Sequence, residues 1–263
     1  MSIVTALIPS TALAIPALWK RALTPGGTLL AWALCLVITC AGGFTAFAIL
    51  ALTLICTVAA DHLAGGRADP RGVRRKSGSR DALRVLCNVG MGALAMALSL
   101  WTPYRTAFVT AYAAVMAESL ADSLASKLGP LSGRPPVDIC TLRPVQAGLS
   151  GGVTVPGTLS ELAGALLIAG TYALGTRDLT GGAAVLLCGF LGAVFDSVLG
   201  SRLQVKYRCA RCGEITERET HCLTPAVRVS GHPRVTNDLV NLLSNAFALA
   251  LALLLSLAVR SCV

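Results

Sequence analysis

Apolar stretches close to the thickness of a bilayer recur along this chain, parted by short polar segments that are mostly basic. A hydrocarbon layer offers no water to backbone N–H and C=O groups, so such stretches must be helices that satisfy those groups internally. The runs fall at residues 3–19, 28–41, 44–60, 84–101, 106–126, 152–175, 181–203 and 236–258. The first is interrupted by Pro9 and Pro16, and its basic residues, Lys20 and Arg21, follow it. That is the wrong order for a cleaved signal peptide, so it reads as a short first span or an interfacial segment. The second and third form a tight hairpin broken at Gly42-Gly43, each arm short enough to need tilt or bilayer thinning. The expected fold is all-α: a polytopic membrane helical bundle of about seven to eight transmembrane spans. It is read as a single integral membrane domain over residues 1–263.

Composition excludes the ordinary soluble domain, with 54 % hydrophobic residues, 13 % charged and a mean hydropathy of +0.70. The formal charge of +9 does not point to nucleic acid, because the basic residues sit between apolar runs rather than on a charged domain. The most basic segment, residues 64–84, carries Arg67, Arg71, Arg74, Arg75, Lys76, Arg80 and Arg84. With that segment in the cytoplasm and strict alternation, all of the 22 Lys and Arg except Arg105, Arg177 and Arg260 fall on the cytoplasmic side. The expected partner is the lipid bilayer itself. Ten cysteines are no disulfide framework either, since Cys35, Cys40, Cys56, Cys87 and Cys188 lie inside apolar runs and act as small hydrophobes.

Chemistry concentrates between Glu118 and Gly157. Glu118 and Asp122 are four residues apart, on one helix face, and the chain leaves the apolar zone at Lys127-Leu-Gly-Pro130. It re-enters through Gly148-Leu-Ser-Gly-Gly-Val-Thr-Val-Pro-Gly157. An acid near a helix C-terminus opposes the macrodipole, so Asp122 is no cap. Under the alternating topology, Asp122, Asp196 and Asp238 fall at or just inside the cytoplasmic ends of three spans, with Asn88 and Asn241 at the same depth. Charged groups in the apolar zone are costly and face a bundle interior. Carboxylates and amides converging there suit Mg²⁺, which takes a few protein oxygens and the phosphates of a substrate. Asp238 can also be read as a first-turn acid. Ser150, Gly151, Gly152, Thr154 and Gly157 read as a phosphate cradle at a helix start, or as glycines that permit close packing. Lys127, Arg143, Arg80 and Arg84 are the cations on the same side, while Glu118 and Glu161 stand behind the site.

A second constellation lies in the polar segment 205–234. Cys209-Ala-Arg-Cys212, then His221-Cys222, supplies four ligands of the kind and spacing that hold tetrahedral Zn²⁺. His232 is an alternative fourth ligand. In a cytoplasmic loop thiols stay reduced, which favours a metal over disulfides. Without an open position or a general base the zinc would be structural, making a small zinc-knuckle-like loop inserted in the membrane domain.

The ordered set Ala121-Asp122-Ser-Leu-Ala-Ser126, Gly129, Ser150-Gly-Gly-Val-Thr154 with Gly157, Asp196-Ser-Val-Leu-Gly200 and Asn237-Asp-Leu-Val-Asn241 carries a resemblance. Over roughly residues 28–258 the chain resembles the integral membrane family that contains phytyl-phosphate kinase of the vitamin E pathway and animal transmembrane protein nineteen. One departure stands out: Lys127 occupies a position where that family usually carries an acid. The resemblance implies a kinase that moves a phosphoryl group from a nucleoside triphosphate, CTP in type, to an isoprenyl monophosphate such as phytyl phosphate. It implies Mg²⁺ at Asp122, Asp196 and Asp238 and no strong general base, because the acceptor phosphate is already ionised. A transferase of a whole phosphate-containing group onto a lipid, and an ion or small-molecule transporter, are the competing readings.

Overall fold

A computed structural model of the chain describes residues 2–65 and 81–261. Among these residues seven α-helices make the bundle: α1 (Ile3–Trp19), α2 (Pro25–Ala64), α3 (Ala82–Leu98), α4 (Arg105–Leu128), α5 (Val155–Thr176), α6 (Leu179–Arg202) and α7 (Asn237–Ser261). Their starts follow from local chemistry. Ser2, Thr24, Asp81, Thr154 and Asp178 each accept a backbone N–H of the following turn, and Pro25 and Pro156 sit in first turns, where their missing N–H costs nothing.

The hairpin expected at Gly42-Gly43 is present as a break inside α2, where Gly43 takes φ 67° and ψ −154°. Only glycine enters that region without strain. Arg105 closes the turn by donating to the Ala41 carbonyl at 2.6 Å, and the Tyr112 hydroxyl donates to Ala46 at 2.7 Å. Both arms line one cavity, as the two legs of a hairpin do.

The axis of the bundle is α4, which packs against α2, α3, α5, α6 and α7. Every residue from Thr110 to Ala121 is buried. Close approach comes from small residues. A Cβ on Gly189 would fall 2.4 Å from the Cβ of Ala117, and one on Gly164 would fall 3.0 Å from the Cα of Ala121. Lipid tails are as apolar as leucine, so this fit, rather than hydrophobicity, draws spans together.

Among the described residues, four helices are long and apolar enough to cross a membrane: α2, α5, α6 and, over Asn237–Ala258, α7. The apolar helices α1 and α3 are shorter, 17 residues each. In α4 the four charged residues Arg105, Glu118, Asp122 and Lys127 lower the hydropathy, which its central position tolerates because other helices screen it from lipid.

The expectation of an all-α chain needs one correction. Residues 206–230 form a four-stranded antiparallel sheet: β3 (Lys206–Cys209), β4 (Ile215–Thr216), β5 (Thr220–His221) and β6 (Thr224–Ser230), in the order β4-β3-β6-β5. These segments are short and polar with alternating Val227 and Val229, so period-two pairing outcompetes a helix. A smaller pair, β1 (Val137–Asp138) and β2 (Gly152–Val153), ties together the connection between α4 and α5.

That connection and the sheet meet at one end of the bundle. Asp138 accepts from the Ser201 hydroxyl at 2.8 Å, Ser150 N–H donates to Glu217 at 2.7 Å, and Gln146 donates to Glu214. Of the basic segment 64–84, Arg67, Arg71, Arg74, Arg75, Lys76 and Arg80 lie outside the described residues.

Candidate active site

At that end of the bundle, a polar cavity opens between the last turns of α4 and α6, the first turns of α5, and the loop from Gly148 to Thr154. Three carboxylates line it, Asp122, Glu161 and Asp196, with the hydroxyl-bearing residues Ser126, Ser150, Thr154, Thr158 and Ser197. Glu161 and Asp196 are buried, and among the described residues no Lys or Arg lines the cavity. Helical spacing sets the α4 wall, because Asp122 and Ser126 share a face one turn apart. Glu161, expected behind the site, is part of its wall. It sits one turn beyond Gly157, where α5 begins its climb.

Behind Asp196 the polar groups continue inward. The Ser244 hydroxyl lies 3.1 Å from Asp196, 2.6 Å from Glu118 and 3.1 Å from the Asn241 carbonyl. A hydroxyl has one proton, so Ser244 serves one of these acceptors at a time. On the other side of Glu118, the Ser119 hydroxyl lies within 3.3 Å of Glu118, the Asn88 carbonyl and Asn245. Asn245 in turn donates to the Cys87 carbonyl at 3.0 Å. Both Ser244 and Asn245 were legible as candidates, being three and four residues after Asn241 and so on its helix face.

The predicted catalytic set is divided by this arrangement. Asp122 and Asp196 face the polar cavity. Asn88, Asn241 and Asp238 lie on the α3–α7 seam, joined to it through Ser119, Glu118 and Ser244. There Asn241 donates to Asn88 at 2.8 Å and Asn237 donates to Asn241 at 3.1 Å. Arg84 stands 3.6 Å from Asp238, which occupies the first turn of α7. Lys127 pairs with Asp61, bridging the ends of α4 and α2, and is absent from the lining of the polar cavity.

The glycines of the loop have a packing reason. Gly151 has φ +84°, and a Cβ there would stand 2.5 Å from the backbone of Ser201 at the end of α6. Reciprocally, a Cβ on Gly200 would meet Ser150 at 2.9 Å. Gly129 and Gly157 press together where α4 ends and α5 starts, with Thr154 donating to the Gly129 carbonyl and accepting from Gly157 N–H. Several amides of the expected cradle are already engaged: Ser150 with Glu217, Gly152 with the Leu149 carbonyl, Gly157 with Thr154. An anion entering this cavity would therefore find the hydroxyls of Ser126, Thr158 and Ser197 rather than those amides.

Asp138, which sequence reading passed over, anchors the loop. It is buried and accepts from Cys140 N–H at 3.0 Å, Thr141 N–H at 2.8 Å and Ser201. Burial alone would raise its pKa, but the bonds from Ser201, Thr141 and Cys140 outweigh burial and hold it below the usual aspartate value. Lys206 is half-buried near it, and that desolvation pushes its ammonium pKa down against the opposing pull of Glu217 and Asp138.

In the sheet, Cys209, Cys212, His221 and Cys222 converge, with all four ligand atoms within 4.8 Å of one another. The Cys212 and Cys222 sulfurs are 3.8 Å apart, and His221 Nδ1 lies 3.5 Å from the first and 3.4 Å from the second. A tetrahedral ion with bonds of about 2.3 Å to sulfur and about 2.0–2.1 Å to nitrogen needs edges close to these. The Cys212 N–H, opposed by burial and helped by His221 and Arg211 N–H, draws the Cys209 thiol pKa down to about 6. Left-handed backbone at Gly213, Cys222 and Leu223 makes the two tight turns that present the ligands. His232 instead accepts from Arg234 N–H, and the histidine that joins the three cysteines in the cluster is His221.

A family model described as "Integral membrane protein DUF92" matches residues 8–249. Protein PGR of Arabidopsis thaliana is 26 % identical over 196 residues, which cover 65 % of this chain and 67 % of that protein. No solved structure matches the chain.

Proposed function

The chain belongs to the DUF92 family of integral membrane proteins, and from that premise we propose that it is a membrane kinase of lipid monophosphates. Its donor would be a nucleoside triphosphate, CTP in type, and its acceptor an isoprenyl monophosphate such as phytyl phosphate. The observation that carries this reading is the polar cavity, in which Asp122, Glu161 and Asp196 converge without a basic side chain among the described residues. Such a lining favours a divalent cation and, through it, phosphate oxygens. The ordered motifs shared with the phytyl-phosphate kinase family support the same chemistry.

In the reaction, an oxygen of the acceptor monophosphate attacks the γ-phosphorus of the nucleotide. The bond to the bridging β–γ oxygen breaks, and a nucleoside diphosphate leaves with the lipid diphosphate as product. Asp122 and Asp196, with Glu161, would hold Mg²⁺, which supplies neutralisation of the phosphoryl charge. Ser126, Ser150 and Thr158 offer hydroxyl donors to phosphate oxygens. The acceptor is ionised, so the cavity needs no general base. The seam of Asn88, Asn241, Ser244 and Asn245 fixes Glu118 and Asp196 from behind. We assign the bundle seven to eight spans, counting both arms of α2 and the screened α4, with the cavity facing the cytoplasm. The Cys209, Cys212, His221 and Cys222 cluster would hold structural Zn²⁺.

The test is an assay of purified protein in detergent with Mg²⁺, geranylgeranyl monophosphate and each nucleoside triphosphate in turn. Diphosphate lipid and nucleoside diphosphate should form, and Asp122→Asn and Asp196→Asn should each lose at least about a hundredfold in rate. Release of nucleoside monophosphate would instead support a transferase of a larger phosphate-containing group. No product from folded protein would overturn the enzymatic reading.

A further inference from the structure

A second cavity lies on an adjoining face of α4, walled by α1, both arms of α2, and α3. Its lining is mainly apolar, with the small polar side chains of Ser10, Thr53, Thr57 and Ser119 interspersed. Arg84 and Asn88 sit in the first two turns of α3, and Ser123 lies about 7 Å from the end of α4, counting about 1.5 Å per helical residue. Deeper, the wall includes Leu13, Cys35, Leu50 and Met116, with Ser10 and Ser119 among them. By the same rise Met116 is about 18 Å and Leu50 about 21 Å from the ends of their helices. Against a hydrocarbon core of about 30 Å, that depth amounts to more than half of its thickness.

We propose that this cavity holds one hydrocarbon chain of an anionic single-chain lipid, with the headgroup at Arg84, Asn88 and Ser123. A mainly apolar slot of that depth, with cationic and amide groups at one end, suits a hydrocarbon chain and its charged headgroup. Its occupant also ends where the polar cavity begins. Ser123 lines this slot while its neighbour Asp122 lines the other, so α4 places a headgroup and the carboxylates on adjoining faces. The assignment rests on the lipid-phosphate reading above for the identity of the headgroup, not for the presence of the chain.

Trp32 lines the slot and donates to Thr11 at 3.1 Å, so it reports on occupancy. The chain has three tryptophans, and Trp19→Phe with Trp101→Phe leaves Trp32 as the sole emitter. Hexadecyl phosphate brominated at mid-chain should quench it saturably and be displaced by unbrominated hexadecyl phosphate, but not by butyl phosphate. Ala14→Phe on α1 and, separately, Ala31→Phe on α2 fill the slot. Each should weaken that binding about tenfold and, in the kinase assay, raise KM for long-chain acceptors about tenfold with little change for short ones. Arg84→Gln should weaken binding while leaving saturating quench unchanged.

Quenching that rises linearly with micelle loading and ignores Ala14→Phe and Ala31→Phe overturns the slot, even if the kinase is active. Saturable quenching without turnover leaves the slot standing and removes the kinase.

Discussion

Gly151→Ala isolates the physical demand that the loop places on one residue. Two costs add. A non-glycine residue at φ +84° costs about 1–2 kcal/mol. The new Cβ would then stand 2.5 Å from Ser201 Cα and N and 2.6 Å from its Cβ. Two of those atoms are backbone at the end of α6 and cannot rotate away, so the clash must displace the loop, at about 1–3 kcal/mol more. Gly213→Ala is the matched control, since Gly213 has φ +75° but nothing within 4 Å of its would-be Cβ. It should bear the conformational cost alone, about 1–2 kcal/mol. Thermal unfolding in detergent should therefore show a midpoint several degrees lower for Gly151→Ala than for Gly213→Ala. Amide exchange should accelerate at residues 148–154 in the first variant only. Equal midpoints with an unperturbed loop would refute the claim that Gly151 is required by contact with Ser201.

Two further outcomes test the surroundings of the site. Asp138 is held below its ordinary pKa when folded, so its ionised form adds stability above the unfolded value of about 4, and that contribution disappears as pH falls through the lower folded value. Wild type and Asp138→Asn should differ in thermal midpoint near neutrality and converge in acid; parallel curves would exclude the bonds from Ser201, Thr141 and Cys140 as the cause. Elemental analysis should find one zinc per chain, lost in Cys212→Ser, and that loss should speed amide exchange at Ser150, whose N–H is held by Glu217 of the sheet. Exchange at Ser150 that is indifferent to metal would uncouple the sheet from the loop.

Much of the bundle was legible because membrane helices are specified locally. The break at Gly42-Gly43, the helix starts at Thr24 and Thr154, and Glu118 and Asp122 on one α4 face all follow from spacing and capping. The Cys/His cluster was legible for the same reason, its ligands being close in sequence. Its scaffold was not, because strands of two to seven residues carry almost no periodic signal. The role of Gly151 was ambiguous on the page: an anion cradle and a close helix approach ask for the same residue.

The sequence by itself determined that this is a helical membrane protein with acids near the ends of particular spans, since period and hydropathy are properties of each segment alone. Which acids share a cavity was decided only by tertiary structure. Asp122 meets Glu161 and Asp196, while Asp238 turns to Arg84 and Lys127 to Asp61. The physical reason lies in the small residues. Gly164 against Ala121 and Gly189 against Ala117 set how α5 and α6 seat on α4, and a contact between distant residues has no signature in the spacing of either.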